Sequence, residues 1–213
     1  MLRDLNQAAP YGFETTQPAP KMPFPVTPGH VHTSTSALAL FDQLAPVTPA
    51  ELLGEWRGEG LATGHPLDGL LEAWHWHGKR FISAEAVHPL IFAAAGGRRI
   101  SVDPNWVPMA LVRAPWVGRL APLGILAPWL LPLLATGKPR AHLRQLWYRG
   151  RLSTAMTYDQ LPITDIFRRL DPHTLLGLMD ARGLEQPFFF TLRREANVKG
   201  GQLPPRPLTG GAP

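Results

Sequence analysis

Seven consecutive residues, Gly54-Glu55-Trp56-Arg57-Gly58-Glu59-Gly60, constrain this chain more than any other stretch. Glycines at every second position around one tryptophan describe a strand that bends tightly beside a large ring, since only residues without a Cβ allow so close an approach. A strand that curls past a buried indole suits the wall of a barrel plugged at one end. A plugged barrel encloses a cavity, and a cavity points to a hydrophobic small ligand.

The rest of the chain has the material for one such domain. Hydrophobic residues make up 45% of the sequence and charged residues 17%, which gives ample apolar surface to bury. Residues 1–36 hold six prolines and residues 196–213 are similarly Pro-rich, so both ends read as arms outside a single domain over 37–195. The formal charge of +5, from 21 Lys and Arg against 16 Asp and Glu, is a mild excess that surface arginines explain, and no nucleic-acid patch is expected. Without cysteine, disulfides and thiolate chemistry are excluded. The N-terminus lacks the apolar core of a secretory signal, so a cytoplasmic protein is expected. Residues 120–135 are uncharged but contain Pro122, Pro128 and Pro132. That stretch is too short and too interrupted for a membrane span.

Along the domain, residues 37–44 predict a short helix, and Thr48-Pro49-Ala50-Glu51 forms a capping box with proline at the first helical position. The strand from Gly54 follows. Residues 70–77 alternate Glu72, Trp74 and Trp76 against Leu71, Ala73 and His75, which predicts a second strand, and Gly78-Lys79-Arg80-Phe81 predicts a turn. Residues 37–105 thus form a first half. Residues 106–136, rich in Leu, Pro and Trp, predict short broken helices that cover a barrel mouth or a subunit interface, a homodimer included. Residues 137–195 predict strands at 141–149, 152–159, 164–170, 174–180 and 188–194 with turn residues between them. The fold expected is mainly β: an antiparallel calycin-like barrel or strongly curved sheet with short covering helices.

Several blocks in order resemble the GXWXG family, in which that motif domain is joined to a C-terminal domain of unknown function. They are Leu53-Gly54-Glu55-Trp56-Arg57-Gly58, Thr63-Gly64-His65-Pro66-Leu67-Asp68-Gly69, Val87-His88-Pro89-Leu90, Met156-Thr157-Tyr158-Asp159-Gln160-Leu161-Pro162-Ile163, Gly177-Leu178-Met179-Asp180 and Pro187-Phe188-Phe189-Phe190. The resemblance spans roughly residues 37–195 and implies a link to lyases that open and rearrange small terpene epoxides. The first motif alone is also similar to nitrobindin-type haem barrels, but residues 174–213 lack the late histidine that would ligate iron. No cofactor is therefore expected.

Candidate chemistry centres on carboxylates and histidines. Asp159 and Asp165 flank Pro162 by three residues each, and a hairpin tip at Leu161-Pro162 would set them opposite each other. Two such carboxylates cannot both ionise cheaply, so one becomes an acid near neutral pH. The competing reading has Asp159 capping the turn and Asp165 facing solvent. His65 and Asp68 share a Gly-flanked turn and His88 precedes Pro89, which makes each histidine either a base or a satisfied surface group. His75 and His77 have the spacing of a metal pair, yet no third ligand follows, so no metal is expected. Trp74, Trp76, Trp147, Tyr158 and Phe167 are candidates to line a ligand cavity. Two functions fit: a cofactor-free lyase or isomerase that opens a small hydrophobic epoxide by acid–base catalysis, or a non-catalytic carrier of a hydrophobic molecule.

Overall fold

The computed structural model describes residues 33–196. The expected N-terminal arm (apart from residues 33–36) and the tail beyond residue 196 lie outside the described residues. Helix α1 (Ser34–Gln43) starts three residues earlier than the expected 37, because Thr33 caps it: its side chain accepts the Ser36 N–H at 3.1 Å. The predicted capping box is present at helix α2 (Pro49–Leu52), where the Thr48 N–H donates to Glu51 Oε2 at 2.8 Å.

The strands in chain order are β1 (Ala45–Pro46), β2 (Gly54–Gly60), β3 (Trp76–Ser83), β4 (Ala86–Ala93), β5 (Arg99–Ser101), β6 (Ala141–Tyr148), β7 (Arg151–Tyr158), β8 (Ile163–Asp171), β9 (Thr174–Ala181) and β10 (Phe188–Arg194). Eight of them close an antiparallel barrel in the order β2-β3-β4-β6-β7-β8-β9-β10, with β10 pairing back onto β2 and β8 onto β9. β1 pairs with β8 and β5 with β4 outside this cycle. The strands of the final third fall within a residue or two of their expected places, since residues with φ > 0 at Arg149, Gly150 and Gly183 turn the chain where hairpins need it.

Trp56 plugs the base of the barrel. Its side chain is buried, its Nε1 donates to the Leu52 carbonyl at 2.7 Å, and the Arg194 guanidinium lies 4.2 Å from the ring centre. The second glycine of the motif serves a different ring: a Cβ at Gly58 would sit 2.2 Å from the indole of Trp76 on the neighbouring strand. Above Trp56 the core climbs through edge-to-face pairs, Phe81 on Phe167 at 5.8 Å and Trp76 on Phe190 at 5.8 Å.

Two local expectations are corrected. Residues 70–77 are not one strand: Leu70–Ala73 is a helical turn, α3, entered through Gly69 at φ 74, and His75 at φ 62 breaks the chain before β3 begins at Trp76. Gly78-Lys79-Arg80-Phe81 is not a turn but the middle of β3. Gly78 reads as punctuation in the sequence, yet it pairs with Arg57 of β2 and lies tight against the Trp56 carbonyl, while its φ of 146 accompanies register shifts between β3 and β4.

Candidate functional site

The upper barrel holds a cavity of about 350 Å³. Its walls come from β3, β4, β7, β8, β9 and β10, and its roof from α3 together with residues 102–134, which fold as short helical pieces broken at prolines, α4 (Met109–Val112) and α5 (Ala127–Leu130) among them. The Trp74 Nε1 donates to the Leu120 carbonyl at 3.1 Å and ties α3 to this lid. Gly124 lets the two backbones touch, because a Cβ there would lie 2.0 Å from the Ala73 carbonyl oxygen. The covering helices expected for residues 106–136 thus sit over the mouth.

Among the described residues that line it, only Lys79 and Asp165 carry charge. They come from β3 and β8, each four strands from the other in either direction round the barrel, so the pair spans the lumen. Lys79 Nζ lies 2.8 Å from Asp165 Oδ2, with the side chains 3% and 1% exposed. Nζ also donates to the Pro89 carbonyl at 3.2 Å and stands 5.0 Å from the ring centre of Phe190, with Trp76 and Tyr158 at 5.6 and 5.8 Å. The ion pair is close but short of hydrogen-bond alignment, and Asp165 Oδ1 and Trp76 Nε1 find no partner among the described residues. Burial pushes the Asp165 carboxyl above the ordinary aspartate range, and the neighbouring Lys79 only partly opposes it. Burial, with the Asp165 charge nearby, also drives the Tyr158 phenol well above its usual value.

Of the residues proposed from the sequence, Asp165, Tyr158, Trp74 and Trp76 line this one cavity. The carboxylate pair does not form. Asp165 pairs across β7 with Met156, because the hairpin centres between Gln160 and Leu161 rather than at Pro162. Asp159 instead points outward, bonded to His142 Nδ1 at 2.8 Å. Asp68 closes its own turn, its Oδ2 accepting the N–H groups of Thr63, Gly64 and His65 at 2.8 to 2.9 Å. His65 is buried against Phe188 with its Nδ1 accepting the Leu67 N–H at 3.1 Å, and burial lowers its pKa. His88 pairs across the sheet with Arg80 and bonds to Ser101 Oγ at 2.9 Å. Neither histidine lines the cavity. Phe167 is buried below the cavity floor and Trp147 stands 75% exposed on β6, so neither touches it. His75 and His77 do not converge either: His75 lies in the turn before β3, and His77 pairs with Glu195 at 3.0 Å.

Lys79 escaped the sequence reading altogether. Its Gly neighbour suggested a turn, and the irregular register of β3 sets Trp76, Lys79 and Phe81 on the lumen side at spacings of three and two rather than strict alternation.

Fold and site together define a class: a small closed antiparallel barrel with a tryptophan plug, an apolar lumen and one ion pair across it. Residues 39–97 match the model for the GXWXG protein family, and residues 139–194 match the one described as Domain of unknown function (DUF4334). A crystal structure of a protein from Thermomonospora curvata is 33% identical, covering 75% of this chain and 85% of that one with a TM-score of 0.55. The chain belongs to the GXWXG family, a GXWXG domain followed by that C-terminal domain. No curated protein matches it.

Proposed function

We propose that the barrel binds a small, uncharged, largely apolar molecule with one oxygen function and isomerises it by acid–base chemistry at Asp165 and Lys79, in the cytoplasm. The observation that carries this reading is the lumen-spanning ion pair with a spare carboxylate oxygen in an otherwise apolar cavity. At about 30 Å³ per water-sized group, the cavity of about 350 Å³ suits a ligand of roughly twelve non-hydrogen atoms. Because Lys79 and Asp165 neutralise each other, a neutral ligand fits better than a carboxylate, which would compete with Asp165 for the same ammonium.

For an epoxide the steps balance without an outside reagent. In the ion pair Lys79 holds the proton and Asp165 is the base, strengthened by the burial that raises its carboxyl. The Lys79 ammonium passes a proton to the ring oxygen as the C–O bond breaks toward oxygen, and the adjoining carbon develops positive charge facing the Trp76, Tyr158 and Phe190 rings. The Asp165 carboxylate takes a proton from the neighbouring carbon while the C–H electron pair closes a double bond. The product is an unsaturated alcohol isomeric with the substrate, and Asp165 returns its proton to the Lys79 amine, which restores the pair. His65, Asp68, His88 and Asp159 have no part in this scheme.

The carrier reading rests on the same apolar lumen under its lid, with the ion pair serving only to orient a ligand oxygen. Gas chromatography of products from a panel of terpene epoxides, beside native mass spectrometry for binding, separates the two. The enzyme predicts conversion by wild type and a loss of roughly a hundredfold or more in Asp165→Asn with binding retained. Binding without conversion by wild type selects the carrier.

A further inference from the structure

We infer that the outer face of the lid docks on an anionic bilayer surface. Residues Val117–Leu134 form a helical run long and apolar enough, by length and composition, to cross a membrane. It is folded in short pieces over the cavity instead, with Val117, Leu120, Leu131 and Leu134 facing the ligand space. Its opposite side is apolar as well: Ile125 is 76% exposed, Trp129 72% and Leu133 81%, with Leu126 and Leu130 between them about half exposed. A helical segment apolar on both sides, with Arg119 its one charge, belongs inside a core or against lipid. This one covers the barrel with a single side.

Charge selects the occupant. Between Asp103 and Asp159 the sequence has no acidic residue but seven basic ones, Arg113, Arg119, Lys138, Arg140, Arg144, Arg149 and Arg151. Arg140, Arg144 and Arg149 pair with Asp103, Glu85 and Asp42, whereas Arg113, Arg119 and Lys138, which lie in or beside the lid, make no ion pair among the described residues. Exposed Leu, Ile and Trp in a segment flanked along the chain by unpaired cations are the make-up of an interfacial surface on anionic lipid, with indoles suited to headgroup depth. A symmetric contact with a second copy would bring these same cations toward one another. The docked lid would lie between the bilayer, where apolar molecules accumulate, and the cavity beneath it. This inference stands whether the bound molecule is converted or only carried.

Co-sedimentation of the full chain with vesicles tests it, using equal parts phosphatidylglycerol and phosphatidylcholine against phosphatidylcholine alone. Partition onto the anionic vesicles should exceed that onto neutral ones by roughly fivefold for each basic residue engaged and should fall as salt is added. Trp129→Glu with Leu133→Glu should abolish binding to both. Arg119→Glu with Lys138→Glu should bring the anionic vesicles down to the neutral level. Both pairs change exposed positions, and thermal melts confirm that the barrel persists. No binding by wild type, or binding indifferent to lipid charge and to the Trp129 and Leu133 changes, overturns the proposal. So does light scattering that finds a dimer which those two changes split, since the face would then belong to a second copy.

Discussion

Replacing Lys79 with methionine, which nearly keeps its volume, leaves Asp165 alone in the lumen at 1% exposure. Removing one partner of a buried pair typically costs about 3–5 kcal/mol, because the remaining charge has lost its compensation, while exchanging both partners for apolar groups is neutral or stabilising by roughly 1–4 kcal/mol. Lys79→Met should therefore lose about 3–5 kcal/mol in urea unfolding at pH 8, or roughly 6–20 °C of Tm for a domain of this size. Lys79→Met/Asp165→Leu should return to wild-type stability or exceed it, and should lack the proposed isomerisation. The pH dependence adds a signature. Burial already holds the Asp165 carboxyl above its ordinary value, and loss of Lys79 removes the opposing influence. A carboxyl raised in the folded state contributes stability that is fully present below the unfolded pKa, about 3.9, and lost as pH rises through the folded one. The deficit of Lys79→Met should accordingly shrink from pH 8 toward pH 5. The reasoning fails if Lys79→Met matches wild type at pH 8, or if the double variant is as unstable as the single one. Either result would mean that water or a neighbouring group solvates the pair, and that it is not retained at a cost in stability.

Gly58→Ala places a Cβ 2.2 Å from the Trp76 indole and should cost about 1–3 kcal/mol while shifting a cavity wall; an unchanged denaturation midpoint would show that the ring does not rest on Gly58. Trp56→Ala deletes the basal plug and should cost about 3–5 kcal/mol, checked by the same unfolding curves, with less than about 1 kcal/mol counting against the plug. Burial holds His65, His77 and His88 below the ordinary imidazole pKa. Their contribution is present above about pH 6.5 and lost as pH falls through the lowered folded values, so Tm should drop on acidification below that point, against the opposite trend of Asp165. His88→Gln should flatten the slope, and an identical slope would mean that His88 titrates alike folded and unfolded.

Much of the frame was legible before any coordinates. The glycine spacing around Trp56 declared a strand pressed against rings, since the absence of a Cβ is a local property that tertiary context cannot supply. The capping box at Thr48 and Glu51, the hairpin at Arg149-Gly150 and the prolines that break the lid are likewise local chemistry, and each appears where the sequence put it. Alternation failed where one residue's conformation depends on a distant strand. Gly69 and His75 bound the helical turn Leu70–Ala73, and Gly78 lets β3 lie tight against its neighbour β2.

The site divides the same way. Asp165, Tyr158, Trp74 and Trp76 were identifiable as residue types suited to a cavity, and they share one. Their true partner was not, because Lys79 meets Asp165 only when eight strands close and bring opposite walls within a side chain's reach. Register decided the remainder. A hairpin centre displaced from Pro162 turns the proposed carboxylate pair into one buried acid and one exposed aspartate bound to His142. The sequence by itself thus determined that the chain would curl around tryptophan and roof an apolar space. Only the closed barrel decided which charges that space would hold, since burial and register are properties of the whole cycle of strands and of no single segment.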